Sequence, residues 1–185
     1  MADLSKLTPG TWNVDAVHSN VAFSVRHLVV AKTRGRFGQF DATVTIAEDP
    51  LQSKVEATVQ TTSVDTGDEG RDNHLRTGDF FEAETYPTLT FVSTGIKPDG
   101  DDYELTGDLT IKGVTKPVTW ELEFNGVVTD PWGNTRAGFS AETEVNRKDW
   151  GLDYNAVLEA GGVLIGEKVK LEVDVAVQEA LAVAA

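Results

Sequence analysis

The chain has 185 residues, 40% of them hydrophobic and 25% charged, which is the composition of one soluble globular domain large enough to bury a core. Its formal net charge of -14 argues against nucleic acid as a partner, and against docking on an anionic membrane through basic residues, since both need a cationic footprint. The absence of cysteine excludes disulfides, thiolate nucleophiles and thiolate metal sites.

Residues 1–11 read as an N-terminal extension, 12–178 as one domain and 179–185 as a tail. The opening "MADLSKLTPGTWNVD" has no basic start and no apolar core of signal-peptide length. No stretch approaches the roughly 20 apolar residues of a membrane span. The expectation is a cytoplasmic protein with no stable membrane insertion. In "VHSNVAFSVRHL", Val21, Phe23, Val25 and His27 share one parity, so an imidazole ends an apolar row. His18 has the other parity and lies roughly 30 Å away along an extended chain, so the two histidines do not share an ion. His18-Ser19 reads as a corner, pinned by a side-chain to backbone bond.

Period two then dominates. Phe40, Ala42, Val44 and Ile46 alternate with polar residues, as do Val55, Ala57 and Val59, then Tyr103, Leu105, Leu109 and Ile111, then Val118, Trp120, Leu122 and Phe124. "FSAETEV" and "KLEVDVAV" repeat the scheme. Turn residues separate the runs at 48–50, 98–102, 112–113 and 130–134. The segment 67–87 breaks the pattern: Asp72–Gly78 reads as a short helix with Gly78 as its stop, and Tyr86-Pro87 restarts a strand. Gly161, Gly162 and Gly166 flank "VLI" and either remove side-chain volume or mark bulges. "QEALAVAA" reads as a frayed end. The fold class expected is all-β, with about eight antiparallel strands in a barrel or a sandwich.

Several segments, in order, resemble the YceI-like (polyisoprenoid-binding) family: "WNVDAVHSNVAFSVRHL", "GRFGQFDATV", "RDNHLRTGDFFEAETYPTLTF", "GDLTIKGVTKPV" and "NRKDWGL". The resemblance runs from about Trp12 to about Val177. It implies a single lipocalin-like antiparallel barrel around a long apolar tunnel that holds a polyisoprenoid or similar lipid. Some members are periplasmic and carry a signal peptide; this chain departs from them there.

Phe23, Phe40, Phe91, Leu109, Trp120, Leu122, Phe139 and Leu164 fall on inward parities and either interdigitate or line a cavity. The resemblance favours the cavity, with Val25, His27 and Trp150 completing the expected ligand contacts. His27 is either an imidazole bonded within the barrel or a contact for a ligand head group. In "RDNHLRTGDFF", Leu75, Phe80 and Phe81 read as a lid while Arg71 and Arg76 pair with carboxylates; an anion clamp is the other reading. Arg147 and Lys148 read either as contacts for a ligand head group or, as such charges more often are, as a solvated turn with Trp150 packed on the barrel. There is no nucleophile elbow, and a metal site is left only to His74 with one of the other histidines and a carboxylate, so no catalytic residue, metal or cofactor is assigned. The expected function is non-enzymatic carriage or sequestration of a long apolar molecule. The alternatives are a histidine- or metal-dependent enzyme on a buried apolar substrate, or a structural or stress-related module with a filled barrel. A homodimer stands open as a base rate.

Overall fold

The computed structural model describes residues 3–28, 30–157 and 163–180. Its strands, in chain order, are β1 (Gly10–Val14), β2 (Asn20–His27), β3 (Ala31–Phe37), β4 (Phe40–Ile46), β5 (Lys54–Gln60), β6 (Val64–Asp65), β7 (Thr88–Asp99), β8 (Asp102–Ile111), β9 (Val114–Thr129), β10 (Thr135–Asn146) and β11 (Ile165–Glu179). Eight of them close an antiparallel barrel in the order β1-β4-β5-β7-β8-β9-β10-β11, with β11 returning to β1. The barrel expected from the alternation and the resemblance is therefore present, and closure removes the free edges that a sandwich would leave.

The ring closes because β11 is long enough to serve two partners. Its last residues pair with β1 (Val177 opposite Val14), while Ile165–Asp174 pairs with β2. From there β3 joins β2 along its length, and β6 meets β3 only at Arg36 and Phe37. This branch extends the wall at one end of the barrel. Register shifts at Ser93/Gly95, Gly138/Phe139 and Ile165/Val169 mark bulges that bend the long strands around the core.

The turns follow their residues. Lys112 and Gly113 both adopt positive φ, 48° and 73°, which suits the two-residue hairpin between β8 and β9. Asp130 accepts from the backbone N–H groups of Trp132 and Asn134, folding the β9–β10 turn.

Three local readings need correction. The helix, α1, spans Glu69–Arg76 rather than 72–78. Asp68 caps it by accepting from the Arg71 backbone N–H, so it starts earlier. It stops before Gly78 because the Thr77 N–H and hydroxyl both donate to the His74 carbonyl. Gln178 and Glu179, read as the start of a frayed end, instead pair with Asn13 and Trp12, and the Ala180 N–H donates to the Thr11 carbonyl; positions 181–185 lie outside the described residues, as do Gly161 and Gly162. In the stretch read as an extension, a 3-10 turn at Leu4–Lys6 places Leu4 and Leu7 in the main core beside Trp12, which is 0% exposed.

Candidate functional site

The barrel encloses a cavity of about 450 Å3 with an almost wholly apolar wall. That size lies inside the range of roughly 300–1,000 Å3 seen for small-molecule sites. All eleven residues expected at the ligand are on the wall. Phe23, Val25 and His27 come from β2, Phe40 from β4 and Phe91 from β7. Leu109 comes from β8, Trp120 and Leu122 from β9 and Phe139 from β10. Trp150 and Leu164 complete them. The reason is geometric: successive strand residues point to opposite faces, and the barrel has one inside.

Aromatic rings would fill this space if they stood upright. Two of them lie down instead. A Cβ on Gly35 would sit 2.4 Å from the Phe23 ring, and one on Gly107 would sit 2.4 Å from the Phe91 ring. Each phenyl thus covers the bare backbone of a glycine on the neighbouring strand. Phe91 also meets Trp120 edge-on, ring centroids 5.9 Å apart. Both glycines open segments quoted above for the resemblance, "GRFGQFDATV" and "GDLTIKGVTKPV", but their role beneath a phenyl ring was not read from the sequence. Gly107 left a trace, as the gap between Leu105 and Leu109 in an inward row; Gly35 is intelligible only once β3 is known to pair with β2.

One end of the cavity is covered by α1 and the turns after it. Leu75, Phe80 and Phe81 line the wall there, and Phe81 packs edge-on against Phe37 at 5.7 Å. This is the lid expected from "RDNHLRTGDFF", but its arginines behave differently. Arg71 donates to the Thr66 hydroxyl and carbonyl, and Arg76 to the carbonyls of Thr62 and Val64 and to Asn73. Both tie the lid to the backbone around β6, where carbonyls rather than carboxylates are within reach.

Arg147 is a second correction. It is 6% exposed, not in a solvated turn, and it lines the cavity. Its guanidinium donates to the carbonyls of Gly166 (2.9 Å) and Leu152, and more weakly to that of Ile165. Burial lowers its pKa from the ordinary arginine value, opposed by Glu167 and Asp153. Lys148 points away and pairs with Glu167. Trp150 is buried as expected and donates its indole N–H to the Leu109 carbonyl at 3.0 Å.

The histidines separate. His18 is exposed and bonds Asp15 at 2.9 Å, while the Ser19 hydroxyl donates to the Asp15 carbonyl and accepts from the Ala176 N–H, so Ser19 pins the corner. His27 lines the cavity, half-buried, and among the described residues its ring has no hydrogen bond. The internal partner expected for a buried imidazole is therefore not found there. His74 lines the wall, bonds Asp79 at 2.8 Å and packs edge-on against Tyr154 and Phe80. Tyr154 had no periodic signal, lying in a coil segment. The indole N–H of Trp120 is buried without a partner among the described residues.

The YceI-like domain profile matches residues 12–177. The chain belongs to the YceI-like family. It is 48% identical over 136 residues to protein YceI of Escherichia coli O17:K52:H18, covering 73% of this chain and 71% of that one. A UPF0312 protein of Staphylococcus epidermidis is 42% identical over 163 residues, 87% of this chain and 93% of that one. Among solved structures, Burkholderia cenocepacia BcnA superposes with a TM-score of 0.75 at 26% identity, over 88% of this chain and 98% of its own. The Campylobacter jejuni YCEI protein gives 0.71 at 29%, over 84% and 90%. A polyisoprenoid binding domain from Saccharophagus degradans shares the fold, with a TM-score of 0.71 at 16% identity over 91% of this YceI-like chain and 98% of its own.

Proposed function

We propose that this YceI-like protein binds a long, largely apolar molecule of isoprenoid or similar lipid character inside its barrel, and carries or sequesters it without chemical change. The apolar cavity supports the reading most directly. Its wall offers hydrocarbon contacts along its length and a few polar groups at the lid end, among them His27, Thr33, His74 and Tyr154. Burying roughly 300 Å2 of hydrocarbon contributes about 7 kcal/mol at ~25 cal/mol per Å2, before association costs are subtracted. That is enough for useful affinity without a charged anchor.

The eleven wall residues expected from the sequence are the proposed contacts, with His27 the proposed partner of a polar head. The polyisoprenoid binding domain named above supports a ligand of this chemical class. Native mass spectrometry of the protein purified from its own host tests the reading. The expected result is a co-purified lipid released by denaturation, and uptake of a prenyl alcohol from solution by the delipidated protein. No retained lipid together with no uptake overturns it.

A further inference from the structure

The charge of this chain is unevenly placed. Residues 16–40 contain Arg26, Lys32, Arg34 and Arg36 and no aspartate or glutamate, so all 30 acidic residues lie elsewhere. These positions form the β2–β3 hairpin. Lys32, Arg34 and Arg36 occupy alternate, exposed positions, with the cavity-lining Thr33 and Phe37 on the opposite parity. Arg36 pairs with Asp65. Among the described residues, Arg26, Lys32 and Arg34 have no carboxylate within ion-pair distance. Arg26 also stands directly opposite Lys32 in the ladder, a like-charge pairing that costs stability unless an anion sits over it.

The tip of this hairpin is aliphatic. Val30 is 85% exposed and Leu28 is exposed beside it. The Leu28 N–H donates to the Leu164 carbonyl, which sets the tip beside the bridge at Val163. There Val157, also 85% exposed, bridges to the exposed Val163. His27, Tyr154 and Leu164 lie just behind, each lining the cavity while remaining partly open to solvent.

We propose that this end of the barrel docks on an anionic lipid surface. Leu28, Val30, Val157 and Val163 enter the interface, and Arg26, Lys32 and Arg34 lie over the headgroups. The net charge of -14 opposes such docking for the chain as a whole, but the field of nearby charges falls off within about 10 Å in physiological salt, so the hairpin's own cations decide at contact. Aliphatic tips ahead of a cationic band are the arrangement of interfacial anchors. The opposite end is a natural control. Trp132 is 82% exposed there and Val17 projects nearby, but the surrounding charges are Asp15, Asp130 and Arg136, already joined to one another.

The docking rests on the lipid-cargo reading only for its purpose, which is to bring the cavity-lining His27, Tyr154 and Leu164 close to the bilayer. Binding is therefore measured with delipidated protein and vesicles of pure phosphatidylcholine or with 30% phosphatidylglycerol, in a sedimentation assay. The expected result is binding to the anionic vesicles that weakens with added salt, and little binding to the neutral ones. Lys32→Glu/Arg34→Glu should weaken binding by about thirtyfold or more, and Val30→Asp by about tenfold. Trp132→Ala should leave it unchanged. All four substitutions in these three variants lie at exposed positions, and circular dichroism checks that each variant folds. Prenyl-alcohol uptake from solution should persist in the hairpin variants, which separates failure of docking from failure of cargo binding. The proposal is overturned if wild-type protein ignores anionic vesicles, if the hairpin variants bind as well as wild type, or if Trp132→Ala is the variant that loses binding. It is equally overturned if light scattering shows a dimer that Val30→Asp dissolves, since the tip then serves a second copy of the chain.

Discussion

Gly35 keeps the cavity open by having no side chain. Its backbone is the floor on which the Phe23 ring lies, and the atoms nearest an added Cβ are the ends of the Phe23 and Thr66 side chains rather than backbone. Gly35→Ala should therefore fold, since the crowding can be relieved by tipping the phenyl into the lumen. The expected outcome is a loss of about 1–3 kcal/mol of stability and weaker uptake of a long-chain probe, with Gly35→Ala/Phe23→Leu recovering much of both. Competition with a fluorescent lipid analogue measures it; undiminished uptake by Gly35→Ala would show that Phe23 does not bound the ligand space. Arg147 makes the opposite case, a residue whose burial is structural. Arg147→Leu strips donors from the carbonyls of Leu152 and Gly166 and should cost about 2–4 kcal/mol in urea unfolding. Lys should rescue only in part, because a single ammonium cannot reproduce the planar fork. The sequence announces that Arg147 is charged but not which carbonyls surround it, and so its burial was not legible.

Elements were legible wherever one face meets the core and the other meets water, since that difference imposes period two. β4, β5, β8 and β9 follow the alternation expected of them, and their inward sets lie in the core or on the cavity wall. What was hidden depends on partners distant in the chain: the double duty of β11, the glycines beneath phenyl rings, and the burial of Leu4 and Leu7. The corner before β2 illustrates such a partner. Arg136, at the start of β10, bridges Asp130 in the β9–β10 turn and Asp15 beside β2. The hydrogen bond from His18, then that from Arg136, lowers the Asp15 pKa to about 2. The Asp130 carboxyl is lowered too, first by Arg136. A carboxylate depressed in the folded state contributes stability that is fully present above its ordinary value near 3.9 and is lost as pH falls through the folded value. The melting temperature should thus decline between about pH 5 and pH 2, and Asp15→Asn should flatten part of that decline while lowering stability at neutral pH. Parallel slopes for wild type and variant would remove Asp15 from the acid response.

At the scale of the whole molecule, the cavity and the stability of the barrel are linked. The ring of eight strands has apolar residues inside, yet Phe23 and Phe91 are laid against the wall instead of filling the centre. Such a barrel forgoes part of the packing that a solid core would have, since the atoms lining a cavity lack contacts on one side. A hydrocarbon chain that enters restores those contacts in the folded state alone, so binding must raise the unfolding free energy. At a free ligand concentration of about 100 times Kd the gain is about 2.7 kcal/mol. For a chain of this length, each kcal/mol moves the midpoint by roughly 2–4 °C, so saturating prenyl alcohol should raise the melting temperature by roughly 5–11 °C. The rise should grow as chain length increases, because each further buried methylene contributes about 0.8 kcal/mol, and should stop when the chain outgrows the cavity. Scanning calorimetry across a series of prenyl alcohols would locate that limit. A melting temperature indifferent to every member of the series would mean that the cavity does not accept them, and a rise that ignores chain length would place the binding on the outside of the barrel.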